Sequence, residues 1–413
     1  MTSFTMRHDK VAFAAGFMKY AFALTFFILP LFPSFITLTG VTVPGISLLP
    51  QPLAIALLVC MGALAIITLA LVLTTPGPRA PTLVPLLCWL GSAVLSAALG
   101  FDPFAGLLFI GIFALGVLWH LALLRFYRAP GVSDAIFVSF LLSGALASLT
   151  AITMVLTRIP AAQYTVGHGR AIGSFILSGE LAGYLIVYIP TAFAVCVVTR
   201  RPLLRRIAFV GLGCGLVALV MTYSRAGWMG FIAAVAFFIF VARHRARRRY
   251  ALAALLLGVA LVIFTLNAHH NPSENYTRLS IWQAGVRMVE RFPLTGVGPF
   301  VFAKIYPLVR APDGEPTAFH AHSFLLTIFA ETGLVGFLAV CFLWWRFIVV
   351  LSERMRKNEG RNRLLALAVA AGLLGTWVQG IIDTVSVVIF GLWLPFMAIA
   401  LNAAEDGLME QRL

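Results

Sequence analysis

Apolar runs long enough to cross a membrane recur along almost the whole chain, and no other feature restricts its fold as strongly. Crossing a hydrocarbon core of about 30 Å takes roughly 20 mostly apolar residues as a helix. Windows of that kind fall near residues 13–37, 51–74, 82–100, 104–124, 135–157, 173–197, 206–223, 227–243, 250–267, 323–350, 364–383 and 385–403. The pattern predicts an all-α polytopic membrane protein of about twelve transmembrane helices. Residues 1–413 then form a single integral membrane domain. Composition agrees. The chain is 61% hydrophobic and 11% charged, whereas a soluble globule carries about 25% charged residues. A soluble enzyme, a disordered chain and a disulfide scaffold are excluded. The first span is too long for a cleaved signal peptide and lacks a small-residue cleavage site. Cys60, Cys88, Cys196, Cys214 and Cys341 all lie in apolar stretches without ligand spacing, and read as small buried hydrophobes.

Thirty Lys and Arg stand against fifteen Asp and Glu, a formal charge of +15. The placement of these charges argues for membrane topology rather than nucleic-acid binding. Arg7, Lys10, Arg79, Arg125, Arg128, Arg200, Arg201, Arg205, Arg206, the run Arg243 to Arg249 and the run Arg354 to Arg363 all fall on one side of the predicted spans. Basic residues concentrate in cytoplasmic loops, so both termini are expected in the cytoplasm. The runs themselves would contact anionic headgroups, making membrane lipids the partners of that face.

Two loops on the opposite side stand out. One, near 158–172, holds His168 and Arg170. The other, 267–322, far exceeds the length of about 12–15 residues beyond which loops are commonly functional or disordered. It carries its own helix signal. Asn275 or Thr277 can cap a helix in which Leu279, Trp282, Val286 and Val289 recur at spacings of three and four, with Pro293 closing it. Such an amphipathic helix would lie along the membrane interface.

Arg170, Arg225, Arg278 and His322 all fall at this outer boundary. Groups capable of positive charge at one depth repel each other unless something anionic sits among them. The planar fork of arginine suits phosphate oxygens, and a lipid diphosphate sits at that depth. Arg170 and Arg278 also fit interfacial arginines snorkelling to headgroups. Arg225 lies in a tight hairpin between two spans, where a fixed partner is the better explanation. His322 can act as a general base, because imidazole accepts a proton near neutral pH. A metal set built from His320, His322, His269, His270, Asp313 and Glu315 is the weaker reading, since Pro312-Asp313-Gly314 is itself a turn signal. An Asp-x-Glu pair can nonetheless hold a divalent ion, and activity surviving EDTA would argue against one at Asp313 and Glu315. Glu180, Glu331, Gln379 and Asp383 are polar at membrane depth and functional candidates by default; Asp383 ends its span on the outer side.

Several short pieces resemble the bacterial O-antigen ligases and their relatives, the O-antigen polymerases and protein O-oligosaccharyltransferases. They are Arg170-Ala-Ile-Gly173-Ser-Phe175 with Leu181-Ala-Gly-Tyr184, then Tyr223-Ser-Arg225-Ala-Gly-Trp228, then Arg278-x-x-x-Trp282. Pro293-Leu-Thr-Gly296-Val-Gly298 and His322-Ser323 before Gly333-Leu-Val-Gly336 follow in order. The resemblance covers roughly residues 160–345. It implies a C-type glycosyltransferase-like fold in the bacterial inner membrane, acting at the periplasmic face. The implied donor is undecaprenyl-diphosphate-linked O-antigen, and the implied acceptor is lipid A–core. The essential arginines and histidine of the family would map to Arg225, Arg278 and His322, with Arg170 a further diphosphate ligand. Tyr223, Trp282, His320, Gln379 and Asp383 are accessory candidates. Ser323 stands where many relatives carry Asn. No metal or other cofactor is expected. The absence of a soluble domain after the last span favours ligase or polymerase over protein oligosaccharyltransferase. A transporter without chemistry would instead place its site near the midplane, between related halves.

Overall fold

The computed structural model describes residues 2–31, 51–75, 80–241, 252, 256, 273–357, 362–383 and 393–405. These residues form helices joined by short loops, as a lipid solvent that cannot satisfy backbone polar groups requires. In chain order the helices are α1 (Thr2–Ile28), α2 (Gln51–Thr74), α3 (Leu83–Leu99), α4 (Pro103–Phe126), α5 (Val132–Thr157), α6 (Ala161–Val166) and α7 (Ser178–Val198). They continue as α8 (Pro202–Met221), α9 (Arg225–Val241), α10 (Ser273–Arg291), α11 (Phe302–Val309), α12 (Phe324–Lys357), α13 (Asn362–Ile382) and α14 (Leu394–Glu405). Helices α4, α5, α7, α8, α12 and α13 are long and apolar enough to cross a membrane, and shorter apolar helices cover 12–28, 59–74, 83–99, 225–241 and 394–405. Most of the ninth predicted span, the start of the twelfth, the basic run 243–249 and His269-His270 lie outside the described residues.

Helices α7 and α13 form the centre. Helix α13 packs on α7, α9 and α14, and α7 also packs on α8. Small residues let the backbones meet, as in membrane helix pairs generally. A Cβ added at Gly230 of α9 would lie 2.5 Å from the Gly375 carbonyl oxygen of α13, and one at Gly375 would lie 2.6 Å from that of Gly230. Large apolar side chains such as Phe104, Phe209 and Leu73 are exposed on the outer helices, where lipid rather than water is their natural solvent.

One end of the bundle is basic. Arg128 and Arg354 both reach Glu405 Oε2 at 2.7 Å, and Arg201 lies 2.8 Å from Asp134. From that end the 21-residue α13 rises about 30 Å, at 1.5 Å per residue, to Asp383. Asp383 therefore sits one bilayer thickness away from the basic face.

Three expectations need correction. The sixth span does not start at 173: residues 171–177 form a non-helical, largely buried loop, and the helix begins at Ser178. Its backbone is satisfied locally, with Ala171 N–H donating to Met221 O and Ser174 Oγ to Pro30 O. Helix α10 begins at Ser273, ahead of both predicted caps, so Arg278 sits in its second turn. Its protein-facing stripe is Ile281, Ala284 and Met288, while Leu279 and Val286 of the predicted stripe are 51% and 46% exposed. The helix thus has two apolar faces, one packed on protein and one exposed.

The tenth span is broken. Gly333 adopts φ 64° and ψ −167° within α12, a region essentially restricted to glycine. The break frees carbonyls for the loop before α11. Val297 N–H donates to Ala330 O, Gly298 N–H to Glu331 O and Leu334 N–H to Pro293 O. The glycines of Pro293–Gly298 and Gly333 are the two halves of this clamp. A Cβ at Gly333 would lie 2.3 Å from Leu294 backbone atoms, and one at Gly296 would lie 2.4 Å from those of Glu331. Gly333→Ala is expected to cost about 1–3 kcal/mol from backbone strain alone. Thermal unfolding in detergent should show a clear drop in midpoint, against no loss for Gly213→Ala, whose added methyl meets open space.

Candidate active site

The C-terminal end of α13 gathers side chains from three separate parts of the chain. His322 lies in the loop just before α12, with a left-handed φ of 47°. Its ring Nδ1 is 3.3 Å from Asp383 Oδ1. A carboxylate only accepts hydrogen bonds, so Nδ1 carries the proton and donates it to Asp383. Nε2 then bears the lone pair. The backbone of His322 is held on both sides as well: its N–H donates to His320 Nδ1 at 3.2 Å, and its carbonyl accepts from Trp282 Nε1 at 3.4 Å. Nε2 is left without a partner among the described residues.

Asp383 is the first residue beyond α13, its N–H donating back to Gln379 O. Its side chain is 15% exposed, and Oδ2 lies 4.0 Å from Arg278 Nη2. Arg278 Nη1 is also 3.5 Å from the Ile382 carbonyl. Helix α10 therefore contributes two residues one turn apart, Arg278 against Asp383 and Trp282 against His322. Gln379 is buried and donates to Gly179 O at 2.7 Å, while its Oε1 has no hydrogen-bond partner among the described residues. Gly179 is a residue the sequence did not single out. A Cβ there would lie 2.7 Å from Asp383 Oδ2, so the start of α7 can approach the carboxylate only as glycine. A glycine one residue into a helix was the available signal.

Arg225 opens α9 on the same level. Gly230, five residues along α9, packs on Gln379, four residues before Asp383. Tyr223 sits in the hairpin before it with φ 49°. The Arg170 loop is tied to this hairpin through the Ala171–Met221 hydrogen bond. Arg170, Tyr223 and Arg225 are all half-buried. The structure thus joins His322, His320, Asp383, Arg278 and Trp282 directly, sets Gln379 beside them, and carries Arg170, Tyr223 and Arg225 on adjoining elements.

The other carboxylates have structural tasks. Glu331 is buried and its Oε1 accepts from the Phe302 N–H, capping α11. Glu180 Oε2 accepts from Ile176 N–H just ahead of α7, which satisfies a donor at a helix start. Glu315 Oε2 accepts from Thr277 Oγ1, and its backbone is held by Ser280 Oγ and Tyr306 Oη. The Asp313–Glu315 turn therefore docks on the first turns of α10. Among the described residues no three His, Cys, Asp or Glu side chains form a group that could hold a metal ion. Loss of surrounding water, with His322 beside it, pushes the His320 ring down to a pKa of about 3. His320 is therefore neutral at physiological pH.

A helical bundle with six helices long and apolar enough to cross a membrane is consistent with a polytopic membrane protein, and the polar cluster lies at one end of that bundle. Residues 207–341 match the family described as O-antigen ligase. The matched segment contains Tyr223, Arg225, Arg278, Trp282, His320 and His322, while Arg170, Gln379 and Asp383 lie outside it. This match, over about a third of the chain, makes that segment similar to the O-antigen ligase family and supports a membrane glycosyltransferase-like function of the ligase or polymerase type. The chain matches none of the curated proteins compared with it.

Proposed function

We propose that the protein is an O-antigen ligase of the bacterial inner membrane, with cytoplasmic termini and a periplasmic active site. It would transfer O-antigen from undecaprenyl diphosphate to lipid A–core. The observation that carries this reading is the His322–Asp383 pair with Arg278 beside it, set one bilayer thickness from the basic face. A polyprenyl diphosphate presents its charge at that depth and keeps its chain in lipid.

In the proposed reaction an acceptor hydroxyl of lipid A–core attacks the anomeric carbon from the face opposite the diphosphate. The new C–O bond forms as the bond to the diphosphate oxygen breaks, so the configuration inverts. The hydroxyl proton passes to His322 Nε2, and Asp383 steadies the resulting imidazolium through Nδ1–H. The electron pair leaves with the diphosphate. Arg278, Arg225 and Arg170 stabilise that growing charge, as preorganised donors do in a water-poor site, and they supply the positive charge for which a metal ion would otherwise serve.

Asp383→Asn tests the pair. An amide in place of the carboxylate can hydrogen-bond either ring tautomer, so the Nδ1–H form loses its preference. Transfer is expected to fall at least tenfold, within the range by which a positioned acid or base contributes, about 100- to 10,000-fold. Unchanged rates across pH 6–9 would remove Asp383 from the mechanism. The function itself is tested with purified protein, carrier-linked O-antigen and EDTA, given either lipid A–core or carrier-linked glycan alone. A ladder on lipid A–core supports the ligase. Growth on the carrier alone would make the protein a polymerase, and no product with several glycans would favour a transporter.

A further inference from the structure

We propose that His320 is a positioning residue: by accepting the His322 N–H on Nδ1, it locks the His322 backbone in the left-handed conformation that leaves Nε2 as that residue's one polar atom without a partner among the described residues. The inference rests on the reading of His322 as the base. Residues other than glycine rarely adopt positive φ, and a residue with a ring needs a reason to remain at 47°. That reason is on the same loop. The 3.2 Å bond from the His322 N–H to the His320 side chain two residues earlier is the interaction by which Asn and Asp stabilise tight turns. The two rings also meet edge to face, with centroids 4.5 Å apart.

Accepting on Nδ1 fixes the tautomer of His320 as Nε2–H, so the two imidazoles have opposite tasks. His322 donates from Nδ1 and keeps Nε2 open; His320 accepts on Nδ1. A neutral ring suits the position. A cation 4.5 Å away would oppose the proton that His322 takes from the acceptor, and a side chain without an acceptor would release the turn. Trp282 holds the carbonyl of the same residue from α10, but it belongs to a distant part of the chain and cannot by itself select the local backbone conformation.

The test compares His320→Leu with His320→Asn in the purified full-length protein. Leu fills similar space without an acceptor; Asn places Oδ1 where Nδ1 was. His320→Leu is expected to lower kcat about 100-fold, the loss a misplacement near 1 Å brings, with donor KM unchanged because the arginines are untouched. His320→Asn should recover most of that loss. Equal loss in both variants, or full activity with Leu, would overturn the proposal. A second readout needs no substrate. In protein labelled with 15N-histidine, the His322 ring resonances should shift in the Leu variant and keep their wild-type positions in the Asn variant. Resonances that stay put with Leu would overturn the proposal. Failure of the reading of His322 as the base is recognised separately, by transfer that survives His322→Ala, and the resonance comparison still decides the role of His320.

Discussion

His322→Ala is expected to abolish glycan transfer, lowering kcat by about 100- to 10,000-fold, while the protein still inserts and migrates as wild type in detergent. The expectation follows from how the residue is held. Both its backbone polar groups and its Nδ1 are engaged, by His320, Trp282 and Asp383, and among the described residues only Nε2 is left to meet a substrate. A histidine kept merely for packing would not be fixed on three sides with one nitrogen reserved. The open nitrogen carries the ring's lone pair and can accept a proton from a hydroxyl. Folding should survive, because His322 is half-buried at the start of α12 and lies outside the apolar core. Single-turnover transfer, measured beside a thermal unfolding curve, separates the two effects. Near-wild-type turnover would remove His322 from the chemistry.

Arg278→Ala is expected to lower kcat by about 100- to 1,000-fold, the usual effect of removing one preorganised donor from a developing anion. Two edges of the guanidinium face Asp383 Oδ2 and the Ile382 carbonyl, and its remaining donors have no partner among the described residues. An arginine partly balanced by a carboxylate is steady when the site is empty and still offers a fork to phosphate oxygens. Arg278→Lys should recover only a fraction, since a single ammonium cannot reproduce the planar fork. An interfacial arginine that only reached headgroups would be replaced by lysine without loss. The Ala and Lys variants, assayed with saturating donor, distinguish these cases.

Much of the bundle could be read directly. The apolar windows set most helices to within a few residues, because in lipid length and hydropathy decide nearly everything. They failed where backbone leaves the helix while side chains stay apolar. Residues 171–177 and Gly333 look like parts of spans, yet both are breaks whose backbone groups find partners elsewhere. The spacing in 273–291 marked a helix but took Leu279 and Val286 for its main face. Ile281, Ala284 and Met288 meet the protein instead, and hydropathy alone does not say which apolar stripe touches lipid.

At the site, the unusual charges were visible one at a time through their depth. Their relation was not: His322 and Asp383 are 61 residues apart, and Asp383 reads equally well as the polar end of a span. Glu331 shows the converse. Its membrane depth in the sequence made it a functional candidate, and its task is to cap α11. The glycines at 296, 298 and 333 were legible as a pattern, while the clamp they form needs both strands of backbone in view.

The most direct test of the account is a cryo-electron microscopy map of the protein in nanodiscs with undecaprenyl diphosphate bound. Diphosphate density is expected within hydrogen-bond distance of Arg278 and beside Arg225 and Arg170, with His322 Nε2 facing the sugar side of the site. Diphosphate bound at the basic end, near Arg128 and Arg354, or near the midplane away from His322, would contradict the account.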